Sequence, residues 1–166
     1  NRKEYKSAQE VVEELRKYWL TGDTAILYTP EGMYVQDSPE IKSGRVSMNE
    51  RTLKGKLGAR QEGDVVYSDD GKVRFTPYGF KKGEQSASDL STNSGIIAIF
   101  GTPEEAEAIG KSSEHYKLNP RFWASTKVGT PQIRVPGLYS YIFGDRLYVG
   151  GGWDDLVRGW HSFGVR

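Results

Sequence analysis

The residues able to do acid–base or metal chemistry are few in this chain and poorly spaced for it. It contains two histidines, His115 and His161, and no cysteine. Their spacing matches no zinc-hydrolase motif, and a chain without cysteine offers neither a thiolate ligand nor a thiol nucleophile. Each histidine is more readily explained as a surface or packed residue. We therefore expect no metal, no cofactor and no enzymatic activity.

Two other patterns, adjacent acidic residues and consecutive glycines, could mark a metal, acid–base or phosphate site, but each has a simpler structural explanation. The acidic pairs at 69–70 and 154–155 are typical of turns and of the first turn of a helix. The three consecutive glycines at 150–152 follow a strand-like run and could cradle a phosphate. The aspartates at 154–155 would repel that phosphate, because they would occupy the same helix start. Neither pattern predicts nucleotide binding.

Charge is balanced overall but unevenly distributed. The net charge is +1, yet residues 41–82 carry ten basic and five acidic side chains. Such an excess could attract an acidic partner, although a solvated loop would show the same pattern. The near-zero net charge argues against a dedicated nucleic-acid binder, and no apolar run approaches the length of a membrane span. The candidate partner-binding residues in this stretch are Lys42, Arg45, Arg51, Lys54, Lys56 and Arg60.

Helical periodicity occurs in three places along the chain. Apolar residues at three- and four-residue spacing predict a helix that begins after Ser7 and ends near Gly22. Thr102 followed by Pro103 predicts the start of a second helix, with acidic residues in its first turn. Residues 153–160 predict one or two helical turns, because their apolar positions fall on one face.

Strand-like runs separated by turn residues predict three hairpins. These cover residues 24–38, 64–80 and 132–153. The continuous apolar run at 95–101 predicts a buried strand. Residues 38–62 are polar and glycine-containing, so we expect a loop or an irregular strand there.

These elements predict an α+β fold built from small antiparallel sheets and a few short helices, and rich in hairpins. We expect an N-terminal unit over 1–82, which includes the basic loop 42–60, and a C-terminal α+β module over 95–166. The polar, serine-rich stretch 83–94 would connect them. A chain that begins at Asn1 and not at methionine is expected for a processed protein or for a segment of a longer one.

The string DRLYVGGGWDDL, near the end of the chain, resembles the signature of the growth-arrest-specific-related (GAR) domain of spectraplakins and their relatives. The matching positions are Val149, Gly150, Gly151, Gly152, Trp153, Asp154 and Leu156. Two features depart from the family pattern: the zinc-binding cysteines are absent, and Tyr148 stands where the family usually has an arginine. The glycines would allow either a tight reversal with positive φ or the close approach of another strand, with Trp153 covering the bare backbone.

The resemblance implies a non-enzymatic cytoskeletal protein whose basic surface binds the acidic surface of the microtubule lattice. On that expectation the protein is cytoplasmic and cytoskeletal, with the axoneme of a cilium or flagellum as one setting, and it binds tubulin or other cytoskeletal proteins but neither membrane nor nucleic acid. Further candidate contact residues are Arg121, Lys127, Arg134, Arg146 and Arg158.

Two alternatives stay open from the sequence. The chain could be an interaction module of a larger assembly without direct tubulin contact, because its abundant tyrosine and tryptophan residues are favoured interface anchors. It could also be a small ligand-binding or enzyme domain of an unrecognised family. Its site would then be a tyrosine-lined pocket near His115 or His161.

Overall fold

A computed structural model describes residues 8–17, 20–125, 127–140, 144–153 and 161–162. Within those ranges the chain forms five short helices, one largely antiparallel sheet of eleven strands and a separate two-stranded hairpin. The α+β fold with short helices and antiparallel pairing is therefore confirmed.

The helices and strands follow one another in mixed order along the chain. The helices are α1 (Ala8–Leu15), α2 (Glu50–Lys56), α3 (Ala87–Ser91), α4 (Ser94–Phe100) and α5 (Pro103–Ser113). The strands are β1 (Leu20–Thr21), β2 (Thr24–Tyr28), β3 (Gly32–Asp37), β4 (Glu40–Lys42), β5 (Arg45–Ser47), β6 (Leu57–Glu62), β7 (Val65–Ser68), β8 (Val73–Pro77), β9 (Gly83–Glu84), β10 (Arg121–Trp123), β11 (Gln132–Ser140), β12 (Leu147–Trp153) and β13 (His161–Ser162). Among the described residues, none of these helices is long and apolar enough to cross a bilayer.

The main sheet runs in the order β6-β7-β8-β3-β2-β11-β12-β10-β9, with β1 against β11 and β13 beside β1. Along that path every neighbouring pair is antiparallel except β10 and β12. Strands from both sides of residues 83–94 join in this one sheet through the β2–β11 pair. The stretch 83–94 itself forms β9 and α3 and includes the start of α4.

Helix α4 lies at the centre of the main core, where the sequence predicted a buried strand. That prediction is wrong: the run forms a helix, capped by the Asn93 side chain, which accepts from the Gly95 N–H at 3.0 Å. Ile96 and Ile99 are buried among strands of the sheet and helices α3 and α5. A helix enclosed on all sides needs apolar residues on all sides, so its sequence shows no amphipathic period.

The segment 38–62 forms β4, β5, α2 and β6; the strands agree with the strand alternative of the prediction, and β6 is irregular in register, whereas helix α2 was not predicted. Asn49 caps α2 by accepting from the Thr52 N–H at 3.0 Å, and basic residues occupy the last turn of the helix. Leu53 is buried against Leu27 and Tyr34, on the sheet face opposite α4. The sheet is therefore covered on both faces near β2 and β3, by α4 on one side and α2 on the other.

The three predicted hairpins are confirmed as β2–β3, β7–β8 and β11–β12. The helix after Thr102 is also confirmed as α5, with the Thr102 hydroxyl accepting from the Glu105 N–H at 3.2 Å. The first helix ends at Leu15, earlier than predicted. Leu20–Thr21, which the prediction included in the helix, form β1 and pair with β11. The predicted cap Ser7 and most of the turn predicted at 153–160 lie outside the described residues.

Candidate binding surface

The glycine run lies inside strand β12, so the predicted tight reversal is wrong. The alternative that the sequence offered, close approach of another strand, is confirmed at Gly151. A Cβ atom there would lie 2.5 Å from the Trp123 carbonyl oxygen and 2.5 Å from the Tyr28 hydroxyl. The Tyr28 hydroxyl donates to the Gly151 carbonyl at 2.5 Å, and burial raises the pKa of this phenol well above its ordinary value.

The other residues of the glycine motif are placed by the same strand. Val149 is fully buried in the main core, and Gly150 lies between Trp123 on β10 and Gly137 on β11 in the strand register. Gly152 and Trp153 complete β12, and Trp153 pairs with Val135. Cover of the glycine backbone by the Trp153 side chain stays a prediction, and Asp154 and Leu156 lie outside the described residues.

A row of charged and aromatic residues crosses the same end of the sheet. Arg121 on β10 stands opposite Glu84 on β9 and opposite Tyr148 on β12, and Tyr148 stands opposite Tyr139 on β11. The two tyrosine rings stack with centroids 5.0 Å apart. Because these residues face one another in register, all four lie on one face of the sheet, while the alternate residue Phe122 enters the core.

The charged groups of this row continue into a small surface that also carries exposed apolar groups. The Arg121 guanidinium lies 4.8 Å from the centre of the Trp123 ring, and Arg146 forms an ion pair with Glu84 at 2.8 Å. Leu118 adjoins the start of β12, because its N–H donates to the Asp145 carbonyl at 2.9 Å. We call this set the Arg–Trp surface. It consists of Glu84, Leu118, Arg121, Trp123 and Arg146.

Both arginines of the Arg–Trp surface have a side-chain donor without a hydrogen-bond partner. The Nε atoms of Arg121 and Arg146 are both shielded from solvent and have no hydrogen-bond partner. Leaving such a donor unsatisfied costs about 1–3 kcal/mol. Arg121 also forms no ion pair with any residue that the structure describes, whereas Arg146 keeps Glu84. The terminal nitrogens of the Arg121 guanidinium are not shielded in this way, so they are the donors that an acceptor from outside could reach.

The apolar members of the Arg–Trp surface are unusually open to solvent. Trp123 is 51% exposed and Leu118 is 49% exposed, and they lie on either side of Arg121 in the chain. Tryptophan and arginine are the residue types most enriched at the energetic centres of protein interfaces. The surface therefore combines a large apolar contact with a cation that lacks a partner.

The structure distributes the basic residues of 42–60 over three exposed elements. Lys42 and Arg45 lie on the β4–β5 hairpin, Arg51, Lys54 and Lys56 on α2, and Arg60 on β6. Three of them form surface ion pairs: Lys42 with Glu40 at 3.2 Å, Lys54 with Glu31 at 3.2 Å, and Arg60 with Glu62 at 2.6 Å.

Arg45, Arg51 and Lys56 form no ion pair within the described ranges and are exposed. We call these three residues the basic segment. The sheet order places β6 at one end of the path and β10 and β9 at the other. The basic segment lies on β5 and α2, whereas Arg121 lies on β10 and Arg146 directly precedes β12.

The remaining predicted contact residues differ in their availability. Lys127 is exposed in the connection before β11. Arg134 is half-buried on β11 and donates to the Ile133 carbonyl and the Gln132 side chain, both at 2.9 Å. Arg158 lies outside the described residues. Of the residues predicted downstream of the basic loop, Arg121 and Arg146 are the two that the structure brings together.

Sequence reasoning missed Trp123, Leu118 and Glu84. Arg121 and Trp123 are two residues apart in a strand, and that spacing alone places them on one face. Glu84 gave no such signal, because only the folding of β9 beside β10 brings it to Arg146.

The sites of the enzymatic alternative find little support in the described residues. His115 is exposed after α5, and it does not line any of three cavities of about 510, 530 and 520 Å³ among the described residues. His161 belongs to β13, and its side chain lies outside the description. No group of three or more acidic or histidine side chains in the described ranges is arranged to hold a metal ion.

Comparison with known proteins finds no counterpart for this arrangement. No protein-family model, no curated protein and no solved structure matches the chain. The geometry of its own residues therefore has to carry the functional conclusion.

Proposed function

We propose that this protein is a non-enzymatic binding module whose Arg–Trp surface binds an acidic surface on a partner protein. The observation that carries the proposal is Arg121. Its guanidinium lies over a half-exposed tryptophan, and its shielded Nε has no acceptor. The terminal nitrogens of this guanidinium form no ion pair with a described residue and are not shielded, so they are the donors that a partner's carboxylate would meet.

The chemistry of such a contact follows from the geometry. A carboxylate that meets a guanidinium accepts two parallel hydrogen bonds, and charge-assisted bonds of this kind are roughly twice as strong as neutral ones. Trp123 and Leu118 would be buried by the same partner and would exclude water from the charged pair. Glu84 neutralises Arg146, so Arg121 is the cation of this surface that the partner has to satisfy.

The partner that we propose to test first is the microtubule lattice, in the cytoplasm, where the protein would serve as a cytoskeletal or axonemal component. The choice of tubulin depends on the resemblance to the GAR signature, whereas the acidic character of the partner depends on the Arg–Trp surface. The basic segment would add attraction over a longer distance, which raises the association rate and fades with salt.

Co-sedimentation with polymerised tubulin over a range of salt concentrations tests both parts of the proposal. Arg121→Met and Trp123→Ala should each weaken binding by about tenfold, because residues at the centre of an interface typically contribute about 1–2 kcal/mol or more. Ile41→Ala, at an equally exposed apolar residue on β4, and Lys72→Ala, at an exposed cation, are matched controls. Each control should change affinity by less than about twofold.

The possible outcomes separate the surface from the partner. If the protein fails to pellet with microtubules even at low salt but binds polyglutamate through Trp123, tubulin is not its partner. The proposed binding to an acidic surface would then stand. Binding that is insensitive to both Arg121→Met and Trp123→Ala would overturn the proposed use of the Arg–Trp surface.

A further inference from the structure

A cavity of about 510 Å³ lies beside β1, β2 and β11, whereas the Arg–Trp surface lies at β9, β10 and the start of β12. It lies between β1 and β2 on one side, the middle of β11 on another, and the α4–α5 junction. Its volume is within the range of about 300–1,000 Å³ that is typical of small-molecule sites.

An interruption in strand pairing creates the opening. The β2–β11 ladder ends at Ile26 opposite Arg134, and pairing resumes in β1 with Thr21 opposite Gly137. Four residues of one side therefore face two residues of the other, including Pro136, which has no N–H to donate to a ladder. The sheet cannot close at this point, and the cavity fills the gap.

The lining of the cavity combines an apolar wall with negative charge. Leu20, Ile99, Phe100 and Leu138 supply apolar surface, and Asp23, Asp37 and Glu105 supply carboxylates, whereas none of the described residues that line it is a lysine, arginine or histidine. Arg74 does not line the cavity but neutralises Asp37, because its guanidinium donates to the two Asp37 carboxylate oxygens at 2.6 and 2.7 Å. Asp23 and Glu105 therefore carry the net charge of the cavity.

The two remaining carboxylates are held in different ways. Asp23 accepts a hydrogen bond from the Ser38 hydroxyl at 2.5 Å, which fixes it at the rim. Glu105 is exposed in the first turn of α5 and has no ion-pair partner among the residues described. One carboxylate is thus held by a hydrogen bond, and the other lies beside Gly101 without an ion-pair partner among the described residues.

We propose that this cavity binds a small organic cation with an apolar body, with the cationic group between Asp23 and Glu105 and the body against Phe100 and Leu138. Charge complementarity selects a cation, because the described lining offers two carboxylates, those of Asp23 and Glu105, that no described base neutralises. The apolar wall selects an organic ligand over a bare metal ion, and an aromatic ring such as that of Phe100 attracts cations over its face.

Titration of the full chain with three isosteric probes tests the charge requirement. Phenethylamine, 2-phenylethanol and phenylacetate share an aromatic body and differ in charge, and amide shifts measured by NMR report where each one binds. Phenethylamine should perturb the amides of Ile99 and Leu138 saturably and bind on the order of tenfold more tightly than the alcohol, since a bond to a charged group contributes about 1.5–3 kcal/mol. Equal binding of the amine and the alcohol, or tighter binding of phenylacetate, would overturn the proposal.

Two adjacent residues of α5 provide a matched control. Glu105→Gln and Glu104→Gln make the same charge change in the same helical turn at exposed positions, but only Glu105 lines the cavity. Glu105→Gln should weaken phenethylamine binding by about tenfold and Glu104→Gln by less than about twofold. Equal effects would indicate a diffuse field and not a site, and displacement of the amine by Mg²⁺ would reassign the carboxylates to a metal.

Discussion

Arg74 and Arg121 both project from strands of the same sheet, and the fold treats their guanidinium groups in opposite ways. Arg74 is 2% exposed and donates to both Asp37 carboxylate oxygens, to the Ala98 carbonyl at 2.6 Å and to the Gly71 carbonyl at 2.9 Å. Arg121 is half-buried over Trp123, and its shielded Nε has no acceptor.

The difference separates an arginine that holds the fold together from one that is available to a partner. A desolvated charge is tolerated inside a protein only when hydrogen bonds and an opposite charge compensate it. Around Arg74 the chain supplies all of that compensation from β3, α4 and the β7–β8 turn. Around Arg121 the described chain supplies only the Trp123 ring.

The largest effect should come from removing the satisfied arginine. Arg74→Met keeps most of the side-chain volume but leaves Asp37 and two backbone carbonyls without their donor, so we expect a loss of about 3 kcal/mol in the free energy of unfolding. Arg121→Met should leave the free energy of unfolding unchanged or raise it by about 1–3 kcal/mol, since no hydrogen bond between described residues is lost and a shielded, unsatisfied Nε donor is removed. Urea denaturation measures both, and equal losses would contradict the assignment of the two roles.

A smaller loss should follow from filling the space at the glycine motif. Gly151→Ala places a Cβ atom against the Trp123 carbonyl and the Tyr28 hydroxyl, which should cost about 1–3 kcal/mol of stability. Gly55→Ala is the control, because a Cβ atom there meets nothing within 4 Å and the residue lies in α2. That change should be neutral or should stabilise the protein by up to about 1 kcal/mol, as measured by thermal unfolding. A stable Gly151→Ala protein would refute the close-approach explanation.

The smallest stability effect concerns Tyr28 and depends on pH. Tyr28→Phe removes the hydrogen bond to Gly151 and should cost about 1 kcal/mol near neutral pH. Because burial raises the pKa of the Tyr28 phenol, its neutral form stabilises the fold fully below the unfolded value of about 10, and this contribution is lost as pH rises beyond it. The wild type should therefore lose stability between pH 9 and pH 11 more steeply than Tyr28→Phe, as urea denaturation at each pH would show. Equal losses of stability in the wild type and in Tyr28→Phe would show that other tyrosines cause the pH dependence.

The hairpins were predictable because their signals are local. Alternating strands around Asp69-Asp70-Gly71 fix both the turn and the side-chain faces within a few residues, and Gly71 adopts the positive φ that such a turn needs. Helix α2 also carried local signals that the glycines of 38–62 obscured: Asn49 at the cap, Glu50 in the first turn and basic residues in the last.

The remaining features depend on contacts between segments that are far apart in the chain. The apolar run of α4 is compatible with a buried strand or a buried helix, and only its enclosure by the sheet decides between them. Arg121 and Arg146 were predicted as contact residues from their charge alone. Their grouping with Glu84 follows from the β9–β10–β12 register, which no local pattern specifies.

The affinity of Arg121→Met for polymerised tubulin at low salt, measured beside the wild type, tests the central claim most directly. The claim predicts about tenfold weaker binding from a variant that unfolds at the same urea concentration as the wild type or at a higher one. Undiminished binding by this folded variant would show that the unsatisfied arginine is not where an acidic partner docks.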